Sequence, residues 1–215
     1  MFDITGILLS LPAVLLALTV HEYFHAWTAF RLGDPTARNA GRLTLNPLKH
    51  LDPVGFILIL VARVGWAKPV PVNPAYFRSP AGGLALTSLA GPLSNLGLAI
   101  LSGLAFRGLN LVMGEVSLWR EFIGPMLAIS VIINIALAFF NLIPLPPLDG
   151  FAILAYFFPR VGYNLGFIRA GPYILMGLIM LGFFLPISPL GLYLAPFLYI
   201  GTWLLLGAPM GLFGG

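Results

Sequence analysis

The sequence predicts an all-α protein that crosses a membrane about five times, with re-entrant or interfacial segments between the spans. Composition gives the first reason. Of 215 residues, 59% are hydrophobic and 8% charged, with a mean hydropathy of +0.98. A soluble domain carries about 25% charged residues, so this chain has too few to cover itself in water. Apolar runs give the second, because several approach the ~20 residues that a helix needs to cross the hydrocarbon core. The third is the content of 25 Gly and 19 Pro. Such residues break helices, and broken backbone at membrane depth needs protein or water around it.

The same composition excludes several function classes. The chain has 11 Lys+Arg against 7 Asp+Glu and a pI near 9.7, but no dense basic run, so the excess reads as a topology signal and no nucleic-acid partner is expected. Cysteine is absent, which removes disulfides and thiolate metal sites. Any metal site must use His and carboxylate, a donor set that suits zinc with one position open to water. No linker, repeat or shift in composition divides residues 1–215, so a single transmembrane domain is expected.

The first span is expected from Ile4 to Phe30, with Arg31 at its exit to water. No basic segment precedes the apolar run and no small-residue cleavage site follows it, which argues against a signal peptide. Its last turns carry His21-Glu22-Tyr23-Phe24-His25, the HExxH pattern of metalloproteases. On a helix, residues four apart share a face, so His21 and His25 can bind one metal ion together, with Glu22 beside them as a proton acceptor. Buried ionisable groups in a span are costly and are commonly functional. At ~1.5 Å per residue, the metal would lie ~9–15 Å below the membrane surface marked by Arg31.

Residues 31–53 are polar for this chain; Gly41-Arg42-Leu43-Thr44-Leu45-Asn46 alternates as a strand does, but a connecting loop is the better reading on sequence alone. His50 sits beside Asp52-Pro53, where it reads as a loop-capping residue. Residues 54–66 are apolar over too short a length to cross, which suggests a re-entrant or interfacial segment. The proline-spaced GWAKPVPVNP (Gly65 to Pro74) follows as an extended loop. A second span is expected at Leu84–Phe106. It holds Gly91-Pro92-Leu93-Ser94-Asn95, and Asn95 is a polar group at membrane depth, available to substrate or to an interhelical hydrogen bond.

The third span is expected at Phe122–Ile143 and runs into Asn141-Leu142-Ile143-Pro144-Leu145-Pro146-Pro147-Leu148-Asp149-Gly150. Asp149 opens a new apolar run, either as an N-cap or as a third metal ligand. A stub at 151–158 and a helical hairpin, about Phe167–Leu185 and Leu190–Leu206, complete the chain and call for packing rather than chemistry. Arg31, Arg38, Arg42, Lys49, Arg63, Lys68, Arg78, Arg160 and Arg169 fall on one side of the membrane, against Arg107 and Arg120 on the other. The positive-inside rule puts the first group in the cytoplasm. The N-terminus is then outside, the C-terminus inside, and the metal near the cytoplasmic face.

HExxH in the first span, GPLSN in the second and NLIPLPPLDG after the third together resemble the site-2 protease family of intramembrane zinc metalloproteases. The likeness covers roughly residues 1–160. It implies one Zn2+ per chain, held by His21, His25 and Asp149, with Glu22 as general base and Asn141 helping to hold the scissile carbonyl. It also implies that GRLTLN and GWAKPVPVNP are membrane-associated loops that guide substrate, with Arg42, Thr44, Asn46 and Asn95 as expected substrate-binding residues. The expected partners are single-span membrane protein substrates in the lipid bilayer of the cytoplasmic membrane, with a homo-oligomer or a regulatory membrane partner also open. No inserted PDZ or CBS domain is seen, unlike in better-known members. Two other classes stand beside this reading: a transporter or channel with a polar metal or proton pathway, and a catalytically silent scaffold.

Overall fold

The computed structural model describes residues 4–62, 65–113 and 115–207, and prolines open several of its helices, among them Pro53, Pro80, Pro159 and Pro189. In chain order the helices are α1 (Ile4–Arg31), α2 (Thr36–Asn39), α3 (Pro53–Ala62), α4 (Pro80–Met113), α5 (Gly124–Asn141), α6 (Asp149–Phe157), α7 (Pro159–Gly162), α8 (Leu165–Phe184) and α9 (Pro189–Leu206). Among the described residues, five stretches are long and apolar enough to cross a membrane: Thr5–Arg31, Pro80–Met113, Trp119–Asn141, Leu165–Phe184 and Pro189–Leu206. No strand is formed among the described residues; an isolated antiparallel bridge joins Leu51 to Ala67. The protein is therefore an all-α multi-pass membrane protein.

Helix α4 is the hub. It touches α1, α5, α6 and α9, while α8 packs chiefly on α9. With 34 residues it reaches ~50 Å at 1.5 Å per residue, well beyond the expected Leu84–Phe106. Lipid offers no hydrophobic drive for helices to associate, so close packing of small residues must hold them together. Ala13, Ala17, Ala26 and Ala29 of α1 are buried, as are Ala85, Gly91, Ala99 and Gly103 of α4. Large side chains such as Leu101, Leu104, Phe183 and Phe184 point outward, as a lipid-facing surface requires. Farther along α4, Ala99, Val131 and Ile135 form a core that Phe139, Phe197 and Leu205 close.

The region between α1 and α4 is a folded loop layer. Gly41 adopts φ +67°, a left-handed turn that costs glycine little, and the Arg42 amide closes back on the Ala37 carbonyl at 2.9 Å. The alternation at Gly41–Asn46 thus belongs to a loop and makes no strand. Helix α3 is ten residues long, ~15 Å at helical rise, too short to cross. The chain returns against it: a Cβ on Gly55 or Gly65 would collide with backbone of the other limb. Within the expected 54–66 segment, residues 63 and 64, and so Arg63, lie outside the described residues.

The returning limb, Gly65 to Asn73, lies as a strap tied down along its length. The Lys68 amide donates to the His50 carbonyl at 2.8 Å, and the Asn73 amide to the Asp34 carboxylate at 2.7 Å. The buried Arg42 guanidinium donates to the carbonyls of Lys68 and Pro69. Burial lowers the pKa of Arg42, and the charge of Glu22 opposes that shift. His50, also buried, bonds the Thr44 carbonyl through Nε2 at 2.7 Å and has Nδ1 3.5 Å from Arg42. It joins the loops, as its position beside a turn suggested.

Candidate metal centre

The site is built where α1, α4 and α6 meet. His21 and His25 lie one turn apart on α1 with their Nε2 atoms 2.9 Å from each other. The other nitrogen of each ring is fixed. His21 Nδ1 is 2.7 Å from Asn95 Oδ1, and His25 Nδ1 is 2.7 Å from the Thr87 carbonyl oxygen. A carbonyl only accepts, so His25 carries its proton on Nδ1.

Asn95 settles the same question for His21 by a chain of one-way bonds. Its Nδ2 donates to the Ala17 carbonyl at 3.2 Å and to Asn134 Oδ1 at 2.9 Å. Asn134 is itself oriented, because its Nδ2 donates to the Ser130 carbonyl at 2.9 Å. Asn95 must therefore turn its oxygen to His21, and His21 must donate from Nδ1. Both Asn side chains are fully buried, so no water competes. With both protons on Nδ1, the two Nε2 atoms point lone pairs into one small space.

Asp149 completes the group. It is the first residue of α6 rather than the N-cap, which is Leu148. Gly150 allows this placement, since a Cβ there would strike the Leu142 carbonyl. Asp149 Oδ2 lies 3.2 Å from His21 Nε2 and 3.4 Å from His25 Nε2. It is buried and accepts no hydrogen bond, an arrangement that normally carries a substantial penalty. Three electron-rich atoms thus converge with no donor among them. A proton satisfies two of them; a cation satisfies all three. Ligands ~2.0–2.1 Å from one tetrahedral zinc stand about 3.3 Å apart, and the observed spacings of 2.9, 3.2 and 3.4 Å match that scale. The three residues fit a zinc ion.

Gly91 brings the helices close enough. A Cβ there would lie 2.5 Å from His25 Nε2 and 2.6 Å from His21 Cε1. Beside the three donors is a cavity of about 410 Å³, lined by Glu22, Asn141, Trp66, Val70 and Phe140 among others. Glu22 is nearly buried, and its Oε2 accepts the Val70 amide of the strap at 2.9 Å. Asn141 donates one N–H to the Leu137 carbonyl at 2.9 Å, which leaves its other N–H for the cavity.

Residues 109–185 match the model of peptidase family M50, a segment that holds Asn141 and Asp149 but not His21, Glu22 or His25. YwhC of Bacillus subtilis is 46% identical over 145 residues, 66% of this chain and 65% of that protein. Rip2 of Mycolicibacterium smegmatis is 31% identical over 160 residues, 68% of this chain and 56% of its own. Over these stretches the chain is similar to peptidase family M50. A second Rip2, from Mycobacterium tuberculosis, is 36% identical over 146 residues, 65% of this chain and 53% of its own. The names of all three class them as candidate zinc metalloproteases. This chain spans about 65% of YwhC and less of the others, under two thirds of their length. No solved structure matches it significantly.

The structure brings together His21, His25, Asp149, Glu22 and Asn141, and it separates the four residues expected at substrate. Arg42, Thr44, Asn46 and Asn95 do not line the cavity. Arg42 clamps the strap from behind. Thr44 accepts from the Asn46 amide at 3.2 Å, and Asn46 caps the turn at Leu48 at 3.0 Å. Asn95 stands behind His21. Sequence reasoning missed Asn134, Thr87 and Val70. Asn134 is one more polar residue in a span and could have been flagged by that rule. Thr87 and Val70 act through the backbone, which leaves no mark in residue identity.

The orienting chain carries a prediction. Asn95→Leu removes the acceptor that fixes His21, and zinc affinity should fall about 10–100-fold, the usual effect of losing such a partner. Asn134→Leu should act in the same direction but less, because Asn95 loses only one of its restraints. Competition with a chromophoric chelator measures both. Wild-type affinity in Asn95→Leu would contradict the assignment.

Proposed function

We propose that the protein is a zinc endopeptidase that cuts peptide bonds within or beside transmembrane segments of other membrane proteins. The observation that carries this reading is the convergence of His21 Nε2, His25 Nε2 and Asp149 Oδ2 on one point beside Glu22, in a cavity walled in part by helices long and apolar enough to cross a membrane. Zinc bound there would supply a Lewis acid and a water that ionises near neutral pH.

The chain's own residues supply the rest. Glu22 takes a proton from the attacking water and returns it to the leaving amine. The Val70 N–H holds one carboxylate oxygen of Glu22, so the carboxylate keeps a fixed orientation. The free N–H of Asn141 can donate to the oxygen of the scissile carbonyl as negative charge develops there. Leu18, Trp66, Val72, Leu84, Leu137 and Phe140 give the cavity apolar walls, which suit an apolar segment. A transmembrane helix keeps its carbonyls in internal hydrogen bonds, so the substrate must unwind locally before it enters. Arg42, Thr44 and Asn46 then serve substrate indirectly, by fixing the loop and strap that border the cavity. The charge bias supports a site toward the cytoplasmic face of the cell membrane.

Two outcomes follow. In Glu22→Gln, zinc content should stay at wild type while cleavage of a single-span substrate falls by about 10²–10⁴; equal cleavage by matched amounts of folded, zinc-loaded protein would end the mechanism. A cysteine placed at Thr36, in a chain with no native cysteine, should label from the cytoplasmic side. Labelling only from outside would reverse the orientation.

A further inference from the structure

A second cavity, of about 710 Å³, lies between the end of α1, the segment leading into α4, and α6. Its wall includes Arg31, Arg78, Tyr76, Ser79, Tyr156 and Leu86, and no Asp or Glu. Arg31 is the last residue of the first span and Arg78 stands two residues before α4. The described residues between them hold no span-length helix, so both guanidinium groups sit at the same membrane surface. Neither pairs with a carboxylate among the described residues. Arg31 lies over the Trp27 ring, 5.4 Å from its centre, an aromatic contact of the kind found at the interface between lipid and water.

Two guanidinium groups without counter-ions at the edge of a low-dielectric phase attract an anion. Their planar forks fit phosphate oxygens in pairs, and the hydroxyl groups of Tyr76, Ser79 and Tyr156 can donate to the oxygens that remain. The cavity is far larger than an inorganic phosphate needs, and its wall changes character with depth. Leu86, six residues into the second span, is 54% exposed, ~9 Å from the start of α4 at helical rise. A ligand that suits both parts has a phosphate at the surface and a hydrocarbon chain below.

We propose that this cavity binds the phosphodiester headgroup of an anionic glycerophospholipid, held by Arg31 and Arg78, with an acyl chain along Leu86. Basic pockets beside transmembrane helices take such headgroups elsewhere. The site is separate from the metal centre and does not depend on the protease reading.

Native mass spectrometry of the full-length protein in detergent tests it, with phosphatidylglycerol, phosphatidylcholine and inorganic phosphate as separate additions. Phosphatidylglycerol should bind about tenfold more tightly than phosphatidylcholine, and the Arg31→Gln, Arg78→Gln double variant should lose that preference. Arg107→Gln should keep it. If the double variant does not fold, Arg78→Gln alone decides, with an expected loss of about threefold or more. Wild-type preference in the arginine variants overturns the proposal. Displacement of the lipid by millimolar inorganic phosphate also overturns it, in favour of a free phosphate site.

Discussion

Two imidazole lone pairs held face to face inside a membrane protein are the constraint on which the rest of the structure depends. Left alone, His21 and His25 would relieve the repulsion by turning a ring or moving a proton. Asn95 and the Thr87 carbonyl prevent both by holding the Nδ1 protons in place. A cation held between the rings and the Asp149 carboxylate would recover the cost of this arrangement. The donors are thus arranged in advance, and metal binding need not reorganise them.

Much of the fold serves that arrangement. Asn95 works because Asn134 and the Ala17 carbonyl fix its amide, so α1, α4 and α5 must all be in register. Gly91 must lack a side chain for α4 to meet the rings, and Gly150 must lack one for α6 to present Asp149. The strap adds a fourth element by binding Glu22 through the Val70 amide, and Arg42 holds the strap from its other side. Polar groups that would be expensive at this depth if unpaired are almost all spent on one another.

The spans and the spacing of His21 and His25 were legible in the sequence because each depends on a simple count, apolar length or a step of four; Asp149 read equally as an N-cap, and only the family resemblance set it beside them. The assignment of Asn95 was not legible. A lone Asn in a span says that a polar partner exists, but not whether the partner is a substrate or a histidine 74 positions away. The contacts of Arg42 were hidden for a related reason. Its loop alternates like a strand, yet Gly41 turns the backbone and sends the guanidinium inward to the strap carbonyls. Contacts between distant segments decide such roles, and local pattern does not encode them. The long reach of α4 to Met113 was also hidden, because the span was expected to end at Phe106, before Arg107, while the backbone continues as helix.

X-ray absorption at the zinc edge of the purified, zinc-loaded protein tests the central claim most directly. The account predicts two imidazole nitrogens and at least one oxygen, all at about 2.0–2.1 Å, with the imidazole signal lost in a His21→Ala, His25→Ala variant. A zinc spectrum without imidazole scattering, or one unchanged by removal of both histidines, would contradict it.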